Sequence, residues 1–367
     1  MRMDQLVLSH VTKKYKTKTL GEVTAVKDIN VSVREGECFS ILGPSGCGKS
    51  TTLRMIAGFE DLSDGQIFLG GKIVSDKAKN IYVPPEHRGL GMVFQAFAVW
   101  PHMNVYNNVA FPLKVAKVPH SEIQPRVEAA LKHCNLDGLE KTFPSDLSGG
   151  QQQRIALARA IVTNPKVMLL DEPLSNLDPK LRETMRFEIK KLQQEFNFTI
   201  IFVTHDQSEA MALSNRMMVM DMGNIQQIGT PTELYNKPVN KFVHSFLGQS
   251  NFTTVNIEDG RVFAKGIPQA IPVVAPKKMS GEVLLATRPN TIEINHKEGY
   301  KAKIVKRVFL TDFTEYLVGV GDQILRVQTP HRNMFRQGDD CYLKFPSPMW
   351  YEKTEDNDRE RAKRQII

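Results

Sequence analysis

The chain has 367 residues, 41% of them hydrophobic and 24% charged, which is the ordinary mix of a soluble globular protein and enough length for two domains or three. This excludes wholesale disorder, a collagen-like repeat and a disulfide scaffold, and no apolar run approaches the ~18 residues a membrane-spanning helix needs. Met1-Arg2-Met3-Asp4 lacks the apolar core of a signal peptide, and 4 widely spaced Cys leave no zinc cluster or bridge framework visible, so a reduced, cytoplasmic protein is expected.

The formal net charge is +8, but the basic residues are spread along the chain. Only Arg359-Glu360-Arg361-Ala362-Lys363-Arg364 gathers them, interleaved with acid, so 351–367 reads as a solvated charged tail and no nucleic acid is expected as a partner.

In chain order, Cys38-Phe39-Ser40-Ile41-Leu42 is an apolar run suited to a strand buried on both faces. It feeds a Gly-rich loop and then a helix with Leu53, Ile56 and Ala57 apolar and Gly58 at its end. Val167-Met168-Leu169-Leu170 is a second such strand, ending on Asp171 and Glu172. The next helix carries Leu181, Met185, Ile189, Leu192 and Phe196 on one face, with Asp178 as N-cap and Pro179 at its first position. Ile200-Ile201-Phe202-Val203 is a third strand, ending in Thr204-His205-Asp206. Strands alternating with helices over 1–240 argue an α/β fold with a parallel sheet. After about Lys241 the pattern changes to short alternating strands. Asp259-Gly260 separates Thr254–Ile257 from Arg261–Ala264, and Gly321-Asp322 separates Glu315–Val320 from Gln323–Val327, both hairpin signals. A small all-β barrel is expected over 241–350.

Gly43-Pro44-Ser45-Gly46-Cys47-Gly48-Lys49-Ser50-Thr51 fits the phosphate-binding loop pattern. Its glycines let backbone N–H groups wrap phosphates, and the helix N-terminus adds partial positive charge. Lys49 is placed to reach the β- and γ-phosphates of ATP and Ser50 to ligate Mg²⁺. Asp171 and Glu172 lie at a carboxyl strand end, where open α/β sheets bind ligands; Asp171 would hold Mg²⁺ and Glu172 would act as general base on water. Leu147-Ser148-Gly149-Gly150-Gln151 opens another helix. Ser148 and Gln151 have capping-box spacing, while Gly149 and Gly150 weaken a helix start unless something approaches closely, which makes this a second anion site. Cys47, beside Lys49 at a helix N-terminus, is expected to be a reactive thiolate whose alkylation ATP blocks.

With these motifs in order, the first domain resembles the ATP-binding subunit of an ABC transporter. Val93-Phe94-Gln95 is similar to the Q-loop, Leu147–Gln151 to the signature motif, Ser175-Asn176-Leu177-Asp178 to the D-loop and His205 to the switch histidine. Tyr15 stands where an aromatic stacks on adenine, followed by the insertion-like segment 17–22. The resemblance implies a helical subdomain at about 96–160. It also implies a head-to-tail homodimer in which each ATP is held between one chain's phosphate loop and the other's Ser148–Gln151. Gln95 would then ligate Mg²⁺ and sense the γ-phosphate, His205 would hold that phosphate and the attacking water, and Asp178 would communicate across the dimer. Phe97 and Trp100 would form the cleft that receives a short helix of a membrane permease.

The β domain resembles the oligonucleotide-binding-like barrel of importer ATPases, with Thr287-Arg288-Pro289 matching an Arg-Pro element. This implies dimerisation and a small-molecule or protein regulator. It also implies an extracytoplasmic solute-binding protein as indirect partner, and a peripheral position on the cytoplasmic face of the inner (cell) membrane. The wording of 99–102, 246–251 and 309–316 places ferric iron first as solute, then polyamine, phosphonate or another small anion, then sugar. A soluble ABC ATPase acting on nucleic acid or ribosomes is the alternative from another class.

Overall fold

The computed structural model describes residues 4–18, 21–331 and 335–353. The cluster Arg359–Arg364, with residues 354–367 of the expected tail, lies outside the described residues, as do Thr19 and Leu20. The chain forms two compact units, Met1–Val239 and Asn240–Ile367.

In the first unit the strands and helices run β1 (Asp4–Thr17), β2 (Gly21–Arg34), β3 (Cys38–Leu42), α1 (Lys49–Ala57), β4 (Asp64–Leu69), β5 (Lys72–Asp76), β6 (Ile81–Tyr82) and β7 (Leu90–Val93). There follow α2 (Val105–Val115), α3 (His120–His133), α4 (Gly149–Ile161), β8 (Val167–Asp171), α5 (Pro179–Phe196), β9 (Thr199–Thr204), α6 (Gln207–Leu213), β10 (Arg216–Asp221), β11 (Asn224–Gly229) and α7 (Pro231–Asn236). Six strands form one sheet in the order β11-β10-β3-β9-β8-β7. It is parallel from β10 to β7, with β11 antiparallel at the edge.

Both faces of this sheet are covered. Cys38, Met168, Leu170, Ile200 and Phe202 join a core with Val109, Val127, Ile155 and Met185 of the helices. Their neighbours Phe39, Ile41, Val167, Leu169, Ile201 and Val203 join the opposite core with Leu53 and Ile56 of α1 and Leu6, Val26 and Ile67. This alternation explains why the strands read as continuous apolar runs.

The second core rests on an antiparallel sheet, β2-β1-β4-β5-β6, which the alternating α/β reading did not anticipate. Its two long strands break register at several points, and His10 and Asp28 sit at φ 53° and 48°. Those bulges interrupt the period-2 signal that would have marked them.

The second unit opens with α8 (Lys241–Phe246) and continues as β12 (Asn251–Glu258), β13 (Arg261–Ala264), β14 (Ala270–Ile271), β15 (Gly281–Thr287), β16 (Glu293–Asn295), β17 (Tyr300–Phe309), β18 (Thr314–Val320), β19 (Gln323–Thr329), β20 (Asp340–Lys344) and β21 (Met349–Glu352). Two five-stranded antiparallel sheets, β14-β13-β12-β15-β21 and β16-β20-β17-β18-β19, share one core that includes Val255, Leu285, Ile304 and Tyr316. Side-chain amides join β12 to β19. Asn251 donates to the Arg326 carbonyl and accepts from its N–H, both at 2.8 Å. Gln323 does the same for Thr254 at 3.0 and 2.8 Å. Each amide stands in for a missing ladder rung.

Arg288 is buried and donates to the carbonyls of His244, Gly248 and Gln249 and to Ser250 Oγ. It thereby pins the segment that leads into β12.

Candidate active site

Four neighbouring strands of the parallel sheet deliver their carboxyl ends to one place: β3 to Gly43, β9 to His205, β8 to Glu172 and β7 to Gln95. The loop after β3 turns through Gly48 at φ 105°, where a Cβ would lie 2.4 Å from the Ala25 carbonyl, so only glycine fits. Ser45 and Gly46 are exposed on the loop, and Thr51 is half-buried in the first turn of α1. Helix α1 has no side-chain cap, so its opening N–H groups keep their capacity for an anion. Lys49 is buried, its ammonium donating to the Gly43 carbonyl at 2.8 Å and the Pro44 carbonyl at 2.9 Å. The cation is thereby held across the loop.

Cys47 corrects the sequence expectation. It is 3% exposed, and burial raises its pKa, outweighing the opposing Lys49 charge. It is a packed thiol under the loop rather than an exposed thiolate.

Ser50 Oγ lies 3.4 Å from Asp171 Oδ1. Burial and then the neighbouring Glu172 charge raise the Asp171 pKa, an environment that a divalent cation would relieve. The Ser50 hydroxyl and the Asp171 carboxylate beside it are hard oxygen donors of the kind Mg²⁺ takes together with phosphate oxygens; the Gln95 amide is turned with its Nε2 toward Glu172. Among the described residues no cluster of three or more His, Cys, Asp or Glu is arranged to hold a metal by itself.

Glu172 is the centre of the cluster. Its Oε2 lies 3.1 Å from His205 Nδ1 and accepts from Gln95 Nε2 at 3.2 Å. Its backbone sits at φ 45°, a strained conformation for a non-glycine residue that costs roughly 1–3 kcal/mol and concentrates at functional sites. Donation from Glu172 N–H to Val203 O at 2.9 Å and from Ser175 Oγ to Glu172 O at 2.9 Å holds it there.

Sequence reasoning placed Asn176 in the D-loop without seeing that it braces this cluster, and missed Arg182 altogether. Asn176 donates to the Gln95 carbonyl at 2.8 Å. Arg182 pairs with Asp206 at 3.1 Å and donates to the carbonyls of Leu177 at 3.2 Å and Ser175 at 3.4 Å. It ties the turn after Glu172 to the strand end that carries His205.

Ser148 caps α4 in a capping box with Gln151. Gly149 is open, its nearest neighbour to a Cβ being Leu177 Cδ2 at 3.9 Å, whereas a Cβ on Gly150 would meet Leu181 Cδ2 at 2.7 Å. Leu181 packs against the bare backbone of Gly150. Asp178 caps α5 by accepting from Leu181 N–H at 3.0 Å. Tyr15 lies opposite Val23 on the β1–β2 hairpin, with Lys13 Nζ 4.9 Å from its ring centre. Among the described residues, no hydrogen bond, ion pair or ring contact ties Tyr15 or Ser148–Gln151 to the loop 43–51.

A groove of about 1190 Å³ opens beside this site, with Trp100, Phe111 and Val115 on its apolar wall and Lys72, Lys117 and Lys166 among its cations. Trp100 lines it. Phe97 does not: it is half-buried against the helical core of α2–α5.

A mixed sheet with a phosphate-type loop, a strand-end Asp-Glu pair and a helical layer defines a P-loop ATPase. Residues 26–175 match the family described as ABC transporter. The chain is 50% identical over 284 residues to the trehalose/maltose import ATP-binding protein MalK of Thermococcus litoralis, covering 75% of this chain and 76% of that protein. It is 44% identical over 316 residues to the spermidine/putrescine import ATP-binding protein PotA of Rubrobacter xylanophilus (83% and 82% covered). It is 40% identical over 326 residues to the Fe(3+) ions import ATP-binding protein FbpC of Vibrio cholerae (88% and 90% covered). The dimeric post-hydrolysis structure of the ATP-binding cassette MJ0796 with ADP and Pi is 32% identical with a TM-score of 0.54, covering 62% of this chain and 98% of that one. The chain belongs to the ABC transporter family as an importer-type, ATP-hydrolysing subunit.

Proposed function

We propose that two copies of this chain clamp two ATP molecules head to tail and drive solute uptake through a separate membrane permease. The observation that carries the reading is the Glu172 carboxylate held between His205 and Gln95 at the mouth of the phosphate loop. In this reading Ser45–Thr51 wrap the phosphates, and Lys49 leaves the loop carbonyls for the β- and γ-oxygens. Ser50, Gln95 and Asp171 would hold Mg²⁺, whose charge would offset that of the phosphates. Glu172 takes the proton of the attacking water while His205 orients it. Ser148, Gly149, Gly150 and Gln151 of the second copy close over the γ-phosphate. Asp178 relays between copies, and Tyr15 stacks on adenine. The exposure of Ser148 and Gly149 supports a site completed from outside the chain.

The groove beside Trp100 would receive the permease, seating the chain on the cytoplasmic face of the membrane; among the described residues no helix is long and apolar enough to cross one. The β unit would dimerise and take a regulator, and an extracytoplasmic binding protein would deliver the solute. Relatives named for sugar, polyamine and ferric iron match over similar lengths. The wording of 99–102, 246–251 and 309–316 resembles iron, polyamine and phosphonate importers more than sugar importers; we propose ferric iron first, then polyamine, phosphonate or another small anion, then sugar.

The test is capture of the Glu172→Gln chain from native membranes with ATP. Recovery of a polytopic permease supports the reading. Reproducible recovery of ribosomes or nucleic acid without a membrane protein overturns it.

A further inference from the structure

The segment between Gln95 and α2 is gripped from two sides. Gln95 belongs to the sheet side, its side chain on Glu172 and its carbonyl on Asn176. From Phe97 onward the grip comes from the helical layer. Arg159, in the last turn of α4, donates Nη1 to the Ala98 carbonyl at 2.6 Å and Nη2 to the Phe97 carbonyl at 3.1 Å. Its guanidinium carbon lies 4.6 Å from the centre of the Trp100 ring, which in turn lies 4.5 Å from the ring of Phe111. Asn108 of α2, fully buried, accepts from Trp100 N–H and donates to the carbonyls of Trp100 and Met103. Phe97 and Ala98 sit at φ 58° and 50°, a left-handed pair that non-glycine residues hold only under outside constraint.

We propose that Arg159 is a positioning residue that makes the loop 97–100 and helix α4 one mechanical piece. A displacement at the Trp100 groove then moves the Ser148 end of α4, and a displacement at Ser148 moves the groove. Arg159 stands three turns along α4 from its Ser148 N-cap, so the tie carries motion over about 16 Å at ~1.5 Å per residue. The planar fork matters because one group must meet two carbonyls and a ring face at once; a lysine of equal charge meets only one of these well. The inference rests on the nucleotide reading above and adds the route by which that site and the groove would sense each other.

The test is hydrogen exchange on the full chain in the Glu172→Gln background, with and without ATP–Mg²⁺. In that parent, ATP should slow exchange at 43–51 and change exchange at 97–100 and 148–152 together, by about threefold or more. In Arg159→Lys, protection at 43–51 and the response at 148–152 should persist while the response at 97–100 is lost. A parent-like response at 97–100 in that variant overturns the proposal. Should the single variant unfold, Arg159→Lys with Ala98→Gly removes the left-handed strain, and the response at 97–100 should still be absent; its return also overturns the tie. Failure of ATP to protect 43–51 in the parent is a different result, which sinks the nucleotide reading itself.

Discussion

Glu172 Oε2 stands 3.1 Å from His205 Nδ1 although the two residues come from different strand ends, and the parallel pairing of β8 with β9 sets that separation. A carboxylate so placed can take a proton from a water held by the imidazole. Glu172→Gln keeps the shape and the contact with Gln95 but removes the base. Turnover should fall by about 10²–10⁴-fold, the usual worth of a positioned general base. Nucleotide binding should persist, and ATP should convert the variant to a dimer on size exclusion. Turnover within tenfold of the parent would remove Glu172 from the chemistry.

The two glycines that open α4, Gly149 and Gly150, make separable predictions. A Cβ on Gly150 meets the end of the Leu181 side chain at 2.7 Å, so Gly150→Ala makes Leu181 move and offsets part of the roughly 1 kcal/mol that alanine gains in a helix; it should raise the unfolding midpoint less than Gly149→Ala does. In a Leu181→Ala background, compared with Leu181→Ala alone, that difference between the two glycine variants should vanish. Gly149 has room for a methyl group and lies in a helix, where alanine is favoured over glycine. Gly149→Ala should therefore leave the midpoint unchanged or higher and still slow hydrolysis, because a phosphate approaching from a second copy needs that bare backbone. Full activity in Gly149→Ala would mean that nothing approaches there.

Much of this site was legible in the sequence because its chemistry is local. The loop 43–51 carries its glycines, lysine and hydroxyls in one run, and the Asp171-Glu172 and His205 strand ends follow apolar runs that period and length identify. What was not legible acts over distance through backbone carbonyls. Arg182 reaches Ser175 and Leu177, Arg159 reaches Phe97 and Ala98, and Asn251 and Gln323 replace ladder bonds between strands. Every residue has a carbonyl, so the sequence does not mark which one an arginine or amide will find. Cys47 was misread for a related reason: helix position and a nearby lysine are written in the chain, whereas burial, which decides its pKa, is a property of the fold.

Arg182 supplies a test of bracing as opposed to chemistry. It pairs with Asp206 and with the buried Glu209 and donates to the turn after Glu172; among the described residues no hydrogen bond or ion pair joins it to Glu172. Arg182→Ala should lower kcat about tenfold or more, since small misplacements of catalytic groups are costly, while KM for ATP stays within about twofold because the phosphate loop is untouched. A rise in KM with unchanged kcat would assign Arg182 to binding instead.

His244 gives the β unit a defined acid response. It is 1% exposed, with Nδ1 3.1 Å from Tyr351 Oη and its ring against Phe252. Burial first, and the Arg288 charge second, lower its pKa from 6.5 to about 4. The unfolded chain therefore binds a proton near pH 6.5 that the folded unit refuses until about pH 4. Stability is fully present above pH 6.5 and is lost as pH falls through that window, at about 1.4 kcal/mol per pH unit and roughly 3 kcal/mol in all. The chain has 2 Trp, so Trp100→Phe leaves Trp350, which packs against the β core, as the sole indole reporter of this unit. Denaturant midpoints followed by its fluorescence should drop between pH 6.5 and 4.5, and His244→Gln should flatten that slope whatever it does to the midpoint at pH 7. An equal slope in His244→Gln would place the titrating group elsewhere in the unit.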